Sequence, residues 1–159
     1  MDVLNRDDNF FMRMALREAQ RAYDADEVPV GAIVVMDKQI VARAHNQVEL
    51  LKDATAHAEM LAITQAASAI GDWRLNEATL YVTKEPCAMC AGAMVNTRLK
   101  RVVFGVTDPR SGAAGSALDI TGFPGMLHRV EVLAGVMQED CLAMLQEFFA
   151  AKRLEAKEK

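Results

Sequence analysis

Between residues 78 and 106 the chain reads strand, helix, strand, and this run restricts the fold more than any other. Ala78 to Thr83 and Arg101 to Val106 are short apolar stretches of strand length. Between them Pro86 opens a segment of helical character that ends near Asn96. Two strands joined through a helix lie parallel, and parallel pairs are covered by helices on both faces.

The flanking sequence supplies the remaining layers. Residues 8–23 place Phe11, Met14, Ala15, Ala19 and Ala22 at helical spacing, with Asp7 or Asp8 as N-cap. Asp24 to Pro29 breaks that helix. Val30 to Met36 and Gln39 to Ala44 form a hairpin about an Asp37-Lys38 turn. Residues 45–54 read as a polar loop, and Thr55 to Ile70 as a helix capped by Thr55 and stopped by Gly71. Residues 107–125 hold four of the nine glycines and two of the four prolines. An irregular stretch of that length in a compact domain is usually functional or disordered. His128 to Leu133 is a fifth strand. Gln138 to about Leu154 is an amphipathic helix with Leu142, Leu145, Phe148 and Phe149 on one side.

At 159 residues the chain is expected to be a single domain, 1–159, with its core at about 8–154 and a frayed tail at 155–159. The longest uninterrupted apolar stretch, Val28 to Met36, is too short to cross a bilayer. The first residues show no basic and apolar leader pattern, so the expected location is the cytoplasm. A net charge of −4 argues against sequence-blind nucleic-acid binding, DNA included. Local basic stretches remain. Arg98, Lys100, Arg101 and Arg110 stand against Asp108, and Lys152, Arg153, Lys157 and Lys159 against Glu155 and Glu158.

Three histidines and three cysteines leave few candidate metal ligands. Cys87 and Cys90 are spaced C-x-x-C just after Pro86, in the first turn of a helix, where unpaired N–H groups favour thiolates. His57 also sits at a helix start. Two sulfurs and one nitrogen leave a tetrahedral zinc one open position, the mark of a catalytic site. Glu59 lies two residues after His57, about 200° around a helix, but near the N-terminus a long side chain can curl toward the metal. A carboxylate there can move the proton of a zinc-activated water. Alone, a C-x-x-C can be a redox pair and a histidine in an Ala-rich helix a core residue. Together, H-A-E followed by P-C-x-x-C is the known signature of zinc nucleobase deaminases. Cys141, on the last helix, reads as a small buried hydrophobe.

The resemblance narrows further. T-A-H-A-E at 55–59, A-T-L-Y-V-T at 78–83, E-P-C-A-M-C-A-G-A-M at 85–94, R-V-V-F-G at 101–105, G-A-A-G-S at 112–116 and E-V-P-V-G-A at 27–32 resemble the bacterial tRNA-specific adenosine deaminases. G-M-x-H-R-V-E at 125–131 does too, and the match runs from about residue 10 to 153. The resemblance implies a cytidine-deaminase-like three-layer α/β/α sandwich with a mixed five-stranded sheet, assembled as a homodimer. It implies one Zn2+ per subunit on His57, Cys87 and Cys90, with Glu59 as proton shuttle. It also implies Asn46 as a purine contact, and Asp108, Arg110, Phe149 and Arg153 as RNA contacts. The reaction implied is deamination of the wobble adenosine in a tRNA anticodon stem-loop to inosine. The alternatives are a free-base or nucleoside deaminase acting on guanine or cytosine, and a non-catalytic zinc-binding subunit. Glu59 argues against the last, since such a subunit needs no proton shuttle.

Overall fold

The computed structural model describes residues 7–158. Residues 1–6, read for a leader, and Lys159, the end of the expected tail, lie outside the described residues. The described elements are α1 (Asp8–Asp24), β1 (Gly31–Met36), β2 (Gln39–His45), α2 (Val48–Leu51), α3 (Ala58–Ile70), β3 (Thr79–Lys84), α4 (Ala88–Asn96), β4 (Arg101–Val106), β5 (Glu131–Ala134) and α5 (Gln138–Lys157). The sheet order is β2-β1-β3-β4-β5. β1 runs antiparallel to both β2 and β3, while β3, β4 and β5 are parallel. Helices α1 and α5 pack on the sheet, while α3 packs on β1 and β2 and carries α4 beside it. This is the mixed α/β sandwich expected.

Local chemistry explains most boundaries. Asp7 caps α1 by accepting the Phe10 N–H at 2.9 Å. Asp37 and Lys38 both have positive φ, 49° and 61°, which matches the twist of a two-residue hairpin. A bulge between Val34 and Val35 shifts the β1–β2 register. Gly31 lies directly beneath α1, where a Cβ would stand 2.1 Å from the Ala15 carbonyl oxygen. Any side chain there pushes the helix off the sheet.

Several boundaries differ from the sequence expectation. Thr55 does not cap α3: its hydroxyl donates to Asp53 Oδ1 at 2.7 Å, and the N-cap is His57. Pro86 is not the first helical residue of α4. The Glu85 N–H is still bonded to the Val106 carbonyl and the Pro86 carbonyl to the Ala113 N–H, so the helix starts only after Cys87. The polar 45–54 segment contains the single turn α2, because the buried Glu27 carboxylate accepts the N–H groups of Glu49 and Leu50 at 3.0 and 2.8 Å. β5 begins at Glu131 rather than His128, since the Val130 N–H bonds to Thr121 and His128 Nε2 pairs with the Leu99 carbonyl at 2.7 Å. The buried stripe of α5 is Cys141, Leu145 and Phe148, while Leu142 and Phe149 are exposed. The helix also runs to Lys157, past its expected end.

One polar cluster pins the start of α1 to the sheet. Asp8 Oδ1 accepts from the Tyr81 hydroxyl at 2.6 Å and from Arg101 Nη1 at 3.0 Å, while Oδ2 accepts from Arg101 Nη2 at 2.7 Å. The guanidinium holds the Asp8 carboxyl below the usual carboxylate range, and the Tyr81 hydroxyl adds to this against partial burial. A depressed carboxylate stabilises the fold above its unfolded pKa of about 4, and that contribution disappears as pH falls through the folded value. Asp8→Asn is therefore expected to cost about 1 kcal/mol at pH 7, partial exposure screening the pair. Its difference from wild type should shrink in urea melts as pH falls below about 4. A difference unchanged by acid would show that the carboxylate charge plays no part.

Candidate active site

The carboxyl ends of parallel strands β3 and β4 open beside the N-termini of α3 and α4, the place where α/β sheets bind ligands. His57 and Cys87 are the N-cap residues of the two helices, and neither side chain caps its own helix. Both are therefore left to face each other. His57 Nδ1 lies 3.6 Å from Cys87 Sγ and 3.6 Å from Cys90 Sγ. The three ligand atoms all fall within 4.8 Å of one another. Two donors on one tetrahedral zinc, with bonds of about 2.3 Å to sulfur and 2.0–2.1 Å to nitrogen, stand about 3.6 Å apart. The donor set and its spacing thus fit zinc.

The protonation chemistry fits as well. The Cys90 thiol donates to Cys87 and holds its pKa down to about 3, with His57 adding to the effect. The same hydrogen bond, together with burial, pushes the Cys90 thiol far up. The His57 imidazole is raised by its bond to Cys87 against the effect of burial. The cluster therefore holds protons that a bound cation would displace.

Glu59, in the first turn of α3, is buried at 4% exposure and lines the same cavity as His57 and Cys87. Burial pushes its carboxyl up, against the effects of its own backbone N–H and of His57. A carboxyl raised toward neutrality beside a metal position suits a group that both takes and gives a proton. The cavity is open, about 860 Å³ in volume.

Asn46 also lines it, but half of its amide is committed. Asn46 Oδ1 accepts the Ala58 N–H at 2.8 Å and so caps α3 in place of Thr55. The Asn46 NH₂ group is the part left to meet a ligand, so Asn46 offers a donor there. Asp108 stands on the rim with its carboxylate already satisfied. Burial raises it, but the Ser111 hydroxyl at 2.7 Å, the Arg110 N–H at 3.1 Å and Lys84 Nζ at 3.2 Å outweigh that and hold its pKa at about 2. Arg110, Phe149 and Arg153 are exposed and do not line the cavity. Phe149 packs edge-on against Phe148, which does.

Among the lining residues that sequence reading did not assign to this site, five bear on its chemistry. Phe148 and Lys152 come from α5, one helical turn apart, and Lys84 from the end of β3. Glu27 and Glu85 are buried carboxylates whose hydrogen-bond donors lie more than 20 residues along the chain. Glu85 accepts from the N–H groups of Asp108 at 2.9 Å, Ala114 at 3.0 Å and Ser116 at 3.1 Å, and from the Ser116 hydroxyl. Gly112 lies against that carboxylate so closely that a Cβ would clash with it. The signal available in sequence was the acid directly before P-C-x-x-C.

Residues 6–153 match the model of the MafB19-like deaminase family. A tRNA-specific adenosine deaminase of Bacillus subtilis is 46% identical over 150 residues, covering 94% of this chain and 93% of that protein. A solved structure from work on A-to-I editing by tRNA deaminases at the wobble position of transfer RNA superposes with a TM-score of 0.82 at 41% identity. That match covers 85% of this chain and 98% of the other. A guanine deaminase structure from Nitrosomonas europaea, with a TM-score of 0.77 at 22% identity over 89% of this chain and 84% of its own, shares the fold.

Proposed function

The chain belongs to the tRNA-specific adenosine deaminases, within the MafB19-like deaminase family, and on that premise we propose how its residues carry out the reaction. It is a hydrolase that converts adenosine to inosine at the wobble position of a tRNA anticodon. Identity of 46% to an adenosine-specific relative supports adenosine over guanine or cytosine, and a buried Glu59 on the cavity supports an enzyme over a non-catalytic subunit. The observation that carries the reading is the His57, Cys87 and Cys90 triangle with Glu59 on the same cavity.

His57, Cys87 and Cys90 are the residues that would hold one zinc per chain. Zinc supplies Lewis-acid activation of water near neutral pH. Glu59 takes a proton from the attacking water and delivers it to N1 of adenine. As the C6–O bond forms and the C6–N bond breaks, Glu59 passes the second proton to the leaving amine, which departs as ammonia. The Asn46 NH₂ donates to the purine edge and fixes the ring over Glu59. The target lies in a single-stranded loop, so little stacking opposes its entry. Arg110, Phe149 and Arg153 would meet the RNA outside the cavity, with Asp108 on its rim.

A second copy of the chain is part of this reading. Leu118, Phe123 and Leu127 are exposed large apolar side chains within one loop, the kind of surface a homodimer covers. Cysteines used as metal ligands rather than as disulfides, and a substrate of the translation machinery, support a cytoplasmic location. Among the described residues no helix is long and apolar enough to cross a membrane. Incubation of the purified protein with total tRNA lacking the modification should produce inosine at the wobble position of at least one species. Deamination of free guanine or cytosine, with tRNA left unchanged, would overturn the proposal.

A further inference from the structure

We propose that Lys84 is a phosphate contact for the polynucleotide at the mouth of the cavity, a residue that favours RNA over a free nucleoside. The proposal rests on the RNA substrate proposed above. It begins from the charge of the cavity walls. Asp26, Glu49, Glu59 and Asp108 all line it, besides the buried carboxylates of Glu27 and Glu85. The lysines lining it are Lys84 and Lys152. A polyanion entering such a mouth needs cations there to offset the carboxylates.

The two lysines are not equivalent. Lys152 Nζ is bound to Asp26 Oδ1, lies 3.5 Å from Glu155 Oε2 and sits 5.5 Å from the centre of the Phe148 ring. Its charge ties α5 to the turn after α1. Among the described residues Lys84 pairs with one carboxylate, Asp108 at 3.2 Å, and its side chain is 34% exposed. Asp108 does not depend on that pair, because the Arg110 and Ser111 N–H groups and the Ser111 hydroxyl also bond to it. Lys84 can therefore turn to an incoming phosphate and leave Asp108 hydrogen-bonded. Lys84 is the last residue of β3, three before Cys87, so a phosphate held there belongs to the target nucleotide or its neighbour. An ammonium on a flexible stem serves phosphate as a point charge and tolerates a range of approaches.

The test is the salt dependence of binding. Affinity for an anticodon stem-loop RNA is measured from 50 to 300 mM KCl for wild type, Lys84→Ala, Lys84→Gln and Lys100→Ala. Lys100 precedes β4, and the parallel register pairs Arg101 with Thr79 and Val106 with Lys84. It therefore lies about 20 Å along the strands from Lys84. One lost phosphate contact on a single strand lowers the log–log salt slope by about 0.7, which corresponds to roughly five-fold weaker binding near 0.1 M salt. Both Lys84 variants should show this loss and Lys100→Ala should not. Lys84→Gln keeps the length of the side chain and gives the same reading if the alanine variant folds poorly. Lys84 variants that keep the wild-type slope would overturn the proposal. An equal loss in Lys100→Ala would also overturn it, by showing an effect of net charge. A wild-type protein that forms inosine while Lys84→Ala matches it would reject the phosphate contact alone. A wild-type protein that forms none would reject the functional reading on which it rests.

Discussion

Glu59→Gln is expected to retain its metal, its melting temperature and most of its RNA affinity, and to lose inosine formation by about 10³–10⁴ or more. A positioned general acid–base group contributes about 10²–10⁴ in rate, and Glu59 serves more than one proton transfer in the same turnover. The substitution keeps side-chain size at a site only 4% exposed, so packing is preserved. The competing account is that Glu59 serves the N-terminus of α3 through the helix dipole, worth about 0.3–1 kcal/mol. That account predicts a small change in stability and intact turnover. Metal content, melting and single-turnover deamination on one preparation separate the two. A variant that keeps a tenth of the wild-type single-turnover rate would end the proton-transfer role.

Cys87→Ala is expected to lower zinc from about one per chain to less than a tenth and to abolish deamination. It should also lower the melting temperature by several degrees, because a metal bound only by the folded chain adds to folding free energy. The geometry makes the stability change interpretable. Cys87 is the N-cap of α4 but its side chain makes no capping hydrogen bond, so alanine removes no cap. Stripping wild type with a chelator should then reproduce the melting temperature of the variant. Full zinc occupancy in Cys87→Ala would remove Cys87 from the ligand set.

The sequence made the layer pattern legible because each strand and helix is built from local periodicity. The hairpin turn at Asp37 and Lys38 and the Gly71 stop of α3 were legible for the same reason. His57, Glu59, Cys87 and Cys90 stood out because their spacing and residue types carry the chemistry. What local pattern could not convey was which side chains are already committed. Asn46 reads as a free amide until Ala58, twelve residues on, takes its oxygen. Nothing around Glu85 in the sequence points to the donors 23 to 31 residues away that converge on it. Pro86 marks a helix start in isolation, but the main-chain bonds of Glu85 and Pro86 to residues 106 and 113 delay that start by two positions. Those partners meet only once β3 and β4 pair. For the same reason Lys84, a strand residue beside a conspicuous motif, gave no signal of its place on the cavity.

The hydrogen bonds converging on the Glu85 carboxylate decide which partner deforms when enzyme and RNA meet. They hold Asp108, Ala114 and Ser116 to the segment that carries Cys87, and Gly112 leaves no slack between them. The 107–117 stretch, although irregular, is therefore a fixed rim and not a lid that closes. A fixed rim keeps its shape on binding, so the conformational entropy lost in forming the complex falls on the anticodon loop. Loops that already present their wobble base outward would then be the better substrates, selected by how little they must rearrange.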